Sequence, residues 1–324
     1  MYCVGLDIGY SNVKIVSGDS GGAPCQQLYP AGAAPVDRLP EAIGRRDHAV
    51  QVPVNGEPYV ALVEPARLQD WNRMLHVDYP ATAAYQALYY AALRHSHRDT
   101  VELLITGLPA APYWEAHGHH RDALRQRLLG VHAVGAGRTV TVTAVAVVPQ
   151  PVGAYLDLAW RHDPAILAEA RVLVLDPGFF SFDWVLIHRG EVRQRASGTS
   201  HQATSVLLEE TDRRIQQAHG GRIGRERLEQ ALRAGETQAV LYGRRLELAP
   251  YLEAAAARTV EVALAALRDT LRHEAEADLV LLTGGGARFF EPATRELFPR
   301  SELVIPPEPV FANARGFWRY GGGQ

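Results

Sequence analysis

Cysteine is scarce: Cys3 and Cys25 are the only two in 324 residues, too few for a disulfide framework or a cysteine metal site. That scarcity fits a reducing compartment. No run of about 18 apolar residues occurs, which excludes an ordinary transmembrane helix. Strand-like sequence begins within three residues of Met1, so neither a signal peptide nor an N-terminal membrane-binding amphipathic helix is expected, and the expected location is cytoplasmic. Excess positive charge is also missing. The 33 Lys and Arg residues face 36 Asp and Glu, a net charge of −3 with the signs interspersed, so direct nucleic-acid binding through a basic stripe is not expected. Low-complexity segments and short-period repeats are absent too. What remains is a globular composition, 47% hydrophobic and 21% charged, long enough for two domains.

The most informative stretch is 172–184, VLVLDPGFFSFDW, where an apolar run ends in Asp176-Pro177-Gly178 and apolar residues resume at Phe180, Phe182 and Trp184. It reads as strand, tight turn, strand. The same device stands near the start, in Val4-Gly5-Leu6-Asp7-Ile8-Gly9-Tyr10-Ser11-Asn12-Val13-Lys14-Ile15, about 170 residues earlier. A third apolar strand ends in Thr283-Gly284-Gly285-Gly286-Ala287 ahead of a helix-like segment. Glycine lets a bend present consecutive backbone N–H groups to phosphate oxygens, and a following helix N-terminus favours the anion. Carboxylates would repel bare phosphate. Asp7 and Asp176 make sense there if Mg²⁺, keeping several waters, stands between them and the phosphates, with Lys14 adding a point charge. Each Asp-x-Gly taken alone is equally an ordinary turn.

In chain order, the proline-rich stretch through Pro24, Pro30, Pro35 and Pro40 reads as irregular or edge-strand material, followed by a small β-rich insertion with strands at 50–54 and 59–63. A helix over 81–94 precedes a strand at 101–105, and a second helix spans 113–129. That helix carries His117, His119 and His120, read as exposed histidines rather than metal ligands because no cysteine or carboxylate cluster accompanies them. One strand is expected over 139–148, a helix from 152 to 160, a strand over 191–196, and helices over 202–218, 225–233 and 249–273. Arginines between 222 and 233 read as a solvated face. A strand at 278–283 leads into the glycine turn, and a last segment, 311–320, closes the chain before a short glycine tail.

On these motifs the chain resembles the actin-like ATPase superfamily, which includes actin, DnaK-type chaperones, sugar kinases and plasmid-segregation actins of the ParM/StbA type. Residues 7–14 look like the first phosphate motif, with Lys14 at the phosphate-contacting lysine position. Asp176-Pro177-Gly178-Phe179-Phe180-Ser181-Phe182-Asp183 is similar to the second phosphate motif, Asp-x-Gly-x-x-Ser/Thr-x-Asp. Gln150-Pro151-Val152-Gly153-Ala154 looks like the connecting helix, and Gly284 to Ala287 like the adenosine motif. Residues 105–109 and 311–317 resemble the ParM-like branch, in particular the StbA-like D component of PRTRC-type plasmid loci. Phe179 and Phe180 depart from the small residues common in the second loop.

The resemblance implies an α/β, actin-like (ribonuclease H-like, duplicated) fold, with two domains around a nucleotide cleft. Domain I would be 1–150 with 306–324 returning to it, and domain II 151–305 with a helical subdomain at about 200–250. It implies ATP or ADP and Mg²⁺ as ligands. Asp7 and Asp176 would hold the metal mostly through water, and Gln150 would orient the attacking water. The phosphates and nucleoside would be contacted by Gly9, Tyr10, Ser11, Asn12, Lys14, Gly178, Phe179, Ser181, Gly284, Gly285 and Gly286. Asp183 would either brace its loop or help hydrate the metal. The partners implied are further copies in a head-to-tail filament and a DNA-binding adaptor at a plasmid centromere, with no membrane. Two other readings stay open: a small-molecule kinase, for which no acceptor site is visible, and a nucleotide-dependent scaffold that does not hydrolyse. A chaperone would need a peptide-binding domain after the adenosine motif.

Overall fold

The computed structural model describes residues 1–41, 49–71, 73, 75–272 and 276–322, apart from the side chain of Ala116. The chain divides into two units, Met1–Pro164 with Val310–Gln324, and Ala165–Pro309. The division thus falls after the connecting helix, whereas the sequence placed it before.

In the first unit, β1 (Tyr2–Ile8) and β2 (Asn12–Asp19) form a hairpin, with β3 (Cys25–Pro30) pairing β2 at the sheet edge. A separate sheet contains β4 (Gly32–Pro35) together with β5 (Val50–Val54) and β6 (Glu57–Val63), the two strands expected of the β-rich insertion, and Pro53 lies on an edge strand, where a missing N–H is tolerated. α1 (Ala83–His95) opens on Thr82, whose hydroxyl accepts the Tyr85 N–H at 3.2 Å. β7 (Thr100–Val101) and β8 (Leu103–Leu108) follow. The expected helix over 113–129 is instead α2 (Ala110–Trp114), a 3₁₀ turn, and α3 (His119–Leu128), because His117 and Gly118 adopt left-handed backbone angles, φ 56° and 85°. His117 and His120 therefore do not share a helix. Among the described residues there is no metal-ligating cluster.

β9 (Gly130–Gly135) and β10 (Arg138–Val142) form a hairpin that sequence reading missed, and β11 (Val145–Pro149) joins the main sheet. The single strand expected over 139–148 is thus two strands in two sheets. The chain changes sheet at Thr143 and Ala144, where the Thr143 hydroxyl donates to the Glu102 carbonyl and the Leu104 N–H donates to the Ala144 carbonyl. α4 (Gln150–Ala159) starts at once after β11, with Pro151 in its first turn.

The second unit begins at the short α5 (Pro164–Leu167), which straddles the division. It repeats the hairpin with β12 (Arg171–Pro177) and β13 (Phe182–His188), then continues through β14 (Glu191–Val192) and β15 (Gly198–Ser200). The strand expected over 191–196 stops at Val192 because a 3₁₀ turn occupies Gln194–Ala196. α6 (Thr204–His219), α7 (Arg225–Arg233) and the hairpin of β16 (Gln238–Leu241) and β17 (Arg244–Glu247) occupy the region expected to be a helical subdomain. α8 (Ala249–Leu271), β18 (Leu279–Leu282), α9 (Ala287–Leu297) and β19 (Glu302–Val304) complete it. The expected end of α8 at His273 and the tail residues 323 and 324 lie outside the described residues.

The main sheets repeat one topology. Strand order is β11-β8-β1-β2-β3 in the first unit and β19-β18-β12-β13-β14 in the second, where β15 also pairs β13. In each, a hairpin sits beside two strands parallel to its first arm. This is the duplicated α/β architecture expected from the two Asp-x-Gly motifs. The strands are buried on both faces, as their near-continuous apolar runs require. In the second core Phe182 stacks between Trp184 and Phe290, with centroids 5.5 and 4.9 Å away.

α10 (Ala312–Gly322) returns to the first unit and packs on α4 and β1. Glycine makes that approach possible. A Cβ on Gly316 would run into the Gly153 carbonyl, and one on Gly5 into the Ala314 carbonyl. Among the described residues, no helix is long and apolar enough to cross a membrane.

Candidate functional site

One cluster of expected residues lies where parallel strands of the first unit end, the usual ligand position in open α/β sheets. The β1–β2 register places Asp7 opposite Lys14, and the Lys14 Nζ lies 3.1 Å from the Asp7 Oδ2. β8 pairs both β1 and β11, so the residue after β11, Gln150, comes to the same end of the sheet. Its Nε2 donates to the Asp7 Oδ1 at 3.1 Å. Asp7 is buried, and its two oxygens are thus shared between an ammonium and an amide. Gly107 lets Gln150 in, since a Cβ there would sit 2.8 Å from the Gln150 Cγ.

Lys14 is the only lysine of the chain, every other member of the 33 Lys and Arg residues being arginine. The position is tight: a Cβ on Gly9 would lie 3.0 Å from the Lys14 Nζ. A compact ammonium suits that space better than a guanidinium fork.

The turn itself is fixed by the Gly9 N–H donating to the Asn12 carbonyl at 3.0 Å, and by the Ala31 N–H donating to Ser11 O. Tyr10 stacks on buried Tyr79, centroids 4.5 Å apart, and its hydroxyl donates to the His76 carbonyl at 2.6 Å. This pins the loop to the segment preceding α1. The Asn12 Oδ1 is buried without a hydrogen-bond partner among the described residues. Such an orphan atom calls for a partner from a ligand or its water.

A second cluster of expected residues lies in the other unit. The Gly178 N–H donates to the Ser181 carbonyl at 2.8 Å and closes the β12–β13 turn. The register here puts Asp176 opposite Asp183, both buried. Asp183 accepts the hydroxyls of Ser181 and Thr199, each at 2.5 Å. The Ser181 hydroxyl, on a residue expected to contact the nucleotide, is thus engaged by Asp183. Thr199 was missed from the sequence; its position follows from the β13–β15 register, which sets it opposite Asp183. Thr204 was missed as well. Its hydroxyl donates to the Gly178 carbonyl at 2.8 Å, tying the turn to the start of α6, where the Ser205 N–H also donates to Phe179 O. Phe179 is buried and Phe180 stacks on His201 with centroids 4.8 Å apart.

The glycine turn reaches the same hairpin. Gly284 has φ 76°, and a Cβ on it would run into the Asp176 Oδ1, so both backbone angle and space require glycine. The Gly286 N–H donates to the Pro177 carbonyl at 2.9 Å, and Gly285 is open to solvent. The structure therefore brings Asp7, Lys14 and Gln150 together in the first unit, and Asp176, Gly178, Ser181, Asp183 and Gly284–Gly286 together in the second. Within each unit the candidate ligands, Asp7 in the first and Asp176 in the second, are carboxylate oxygens that suit a hydrated hard cation, and the like-charged Asp176–Asp183 register is one a cation would relieve.

Residues 5–153 match the family model described as the N-terminal domain of actin-like proteins. No curated protein matches the chain. Among solved structures, the archaeal actin homolog Ta0583 in complex with ADP is 19% identical, with a TM-score of 0.75 and coverage of 100% of both chains. A non-polymerisable quadruple mutant of pCBH ParM is 17% identical with a TM-score of 0.78, covering 100% of this chain and 99% of that one. A 15-stranded ParM filament from Clostridium botulinum is 16% identical at a TM-score of 0.74, again covering 100% of this chain and 99% of its subunit. These likenesses establish the fold over the full length.

Proposed function

The chain has the actin-like fold, with an actin-like N-terminal domain over residues 5–153, and from that premise we propose that it binds and hydrolyses ATP with Mg²⁺ and polymerises to position plasmid DNA. The observation that carries the reading is the shared Asp7 carboxylate, held by Lys14 on one oxygen and Gln150 on the other. The ADP complex of Ta0583 supports a nucleotide ligand, and the ParM filament supports self-association.

In this reading Asp7 and Asp176 would hold the metal mostly through water, and the Lys14 ammonium, now on Asp7, would add a point charge for phosphate. Bound Mg²⁺ would neutralise charge on the β- and γ-phosphates. Gly9, Tyr10, Ser11, Asn12, Lys14, Gly178, Phe179 and Ser181 line the phosphates, and Gly284–Gly286 admit the nucleoside. Gln150 orients the attacking water; its Nε2 already points at Asp7, which leaves the side-chain oxygen as acceptor. A largely dissociative transition state needs little deprotonation, so an amide suffices. Asp183 braces the second turn. The partners are further copies of the chain and a DNA-binding adaptor, and the setting is cytoplasmic. With a net charge of −3, the chain contacts DNA only through that adaptor.

One observation favours the non-hydrolysing scaffold as a second reading: Phe179 and Phe180 occupy the second phosphate turn. Titration of a fluorescent ATP analogue, with Mg²⁺ and with EDTA, tests the shared premise. Saturable binding that weakens in EDTA is expected, and absence of binding sinks both readings. Single-turnover phosphate release then separates them. Release that falls about a hundredfold or more in Gln150→Ala identifies the hydrolase.

A further inference from the structure

In the second unit α6 and α8 run antiparallel, since His219 at the end of α6 meets Tyr251 at the start of α8, with the ring Nε2 2.7 Å from the hydroxyl. The two helices pack through buried apolar residues, and beside that seam they leave a groove of about 480 Å³. Small-molecule sites typically span about 300 to 1,000 Å³, so the space suits a compact ligand. On the α6 side stand Val206, Glu210 and Arg213, which share one face at helical spacing. On the α8 side stand Arg258, Thr259 and Val262. Thr259 is buried, Val206 half-buried, and Val262 47% exposed.

The charges of this groove do not balance. Glu210 accepts the Arg213 Nε and Nη2 at 2.8 and 2.6 Å, and the Arg214 Nε lies 2.8 Å from its Oε1. The hydrogen bonds from Arg213 above all hold its carboxyl below the usual carboxylate range, so it stays ionised. Its neighbour Glu209 is engaged by Arg225 at 2.6 Å. Arg258 is exposed, and among the described residues its guanidinium has neither a hydrogen-bond nor an ion-pair partner. Three guanidinium groups thus stand against one carboxylate. Because Glu210 is served by two of them, Arg213 can turn to a ligand without stranding the carboxylate.

We propose that the α6–α8 groove binds a small organic anion with an apolar body. Its carboxylate, sulfonate or phosphate head is received by the planar fork of Arg258, with Arg213 free to join, and its body lies across Val206 and Val262 above Thr259. Charge complementarity chooses the sign of the ligand, and the two valines separate it from a bare inorganic anion. The groove lies wholly within the second unit and uses none of the residues of the nucleotide reading, so it stands whether or not that reading holds.

The test titrates the full chain with anilinonaphthalene sulfonate, an aromatic anion whose emission rises when it leaves water, at about 50 and about 300 mM salt. Saturable binding that weakens with salt is expected. It should weaken about tenfold or more in Arg258→Glu and about threefold in Val262→Ser. Both changes are at exposed positions, and unaltered circular dichroism and melting confirm that the variants fold. Phenylnaphthylamine, which has the same rings without the sulfonate, should not saturate. No saturable binding of the sulfonate, or equal binding by wild type and Arg258→Glu, would overturn the proposal. Displacement by ATP would overturn it by placing the probe on the nucleotide residues. Equal binding of phenylnaphthylamine would reduce the groove to an apolar patch, and displacement by inorganic phosphate at low millimolar concentration would reduce it to a simple anion site; either overturns the proposal. Probe binding that disappears as the protein is concentrated would overturn it in favour of a second copy as occupant.

Discussion

In the β1–β2 hairpin the residue opposite Asp7 is Lys14, and in the β12–β13 hairpin the residue opposite Asp176 is Asp183. The two hairpins share register and a Gly-closed turn, yet the first sets an ammonium opposite its carboxylate and the second sets two carboxylates opposite each other. Directly opposed like charges are destabilising in an antiparallel pair. The second hairpin offsets this for Asp183 with hydroxyl donors from Ser181 and Thr199, neither of which brings a charge. The proposed metal role of Asp176 rests on this like-charged register, whereas Asp7 carries the Lys14 ammonium within its own hairpin. The duplication of the fold has kept the scaffold and divided the electrostatic work.

The largest expected effect follows from that division. Asp176→Ala removes the charge that the metal's waters need, and phosphate release is expected to fall about 10² to 10³-fold under saturating ATP and Mg²⁺. A variant that keeps wild-type turnover would show that the second hairpin's carboxylate is not engaged. Gly284→Ala strains a left-handed backbone and drives a methyl group into Asp176. A stability loss of about 1 to 3 kcal/mol in urea unfolding is expected, and an unchanged midpoint would contradict the stated contact.

Lys14→Arg keeps the charge but replaces a compact ammonium with a fork beside Gly9. Affinity for the ATP analogue is expected to drop about tenfold, measured by the same fluorescence titration. Wild-type affinity would mean that charge alone matters at position 14. The smallest effect is expected for Asp183→Asn, which relieves the like-charge register and weakens two charge-assisted hydrogen bonds. The two changes oppose each other, for a net loss of about 1 kcal/mol in the same unfolding experiment. A gain in stability would mean that repulsion outweighs the hydroxyls.

The hairpins were legible because their signal is local: an apolar run, Asp-x-Gly, and a second run lie within 13 residues for 172–184. Gln150 was legible only through resemblance, since it reaches Asp7 by way of the β11–β8–β1 pairing and not by proximity in sequence. Thr199 and Thr204 escaped for the same reason. Thr199 meets Asp183 through strand pairing 16 residues away, and Thr204 meets Gly178 across 26. The strand read as continuous through 139–148 had the right composition throughout. What split it was the bonding of Thr143 to Glu102, between β7 and β8, and of Ala144 to Leu104 in β8, which no periodicity announces. The β9–β10 hairpin turns on Ala136 and Gly137, both at positive φ, and alanine gives no turn signal of its own. The helix read over 113–129 breaks at His117 and Gly118, and a single glycine in a helical pattern is a weak stop signal.

The most direct measurement is phosphate release recorded together with light scattering on purified wild type and on Asp176→Ala, with ATP and Mg²⁺. The account predicts that wild type scatters and releases phosphate while Asp176→Ala fails to release it. Phosphate release by wild type without scattering at any protein concentration would contradict the polymerising reading, and scattering without release would contradict the hydrolytic one.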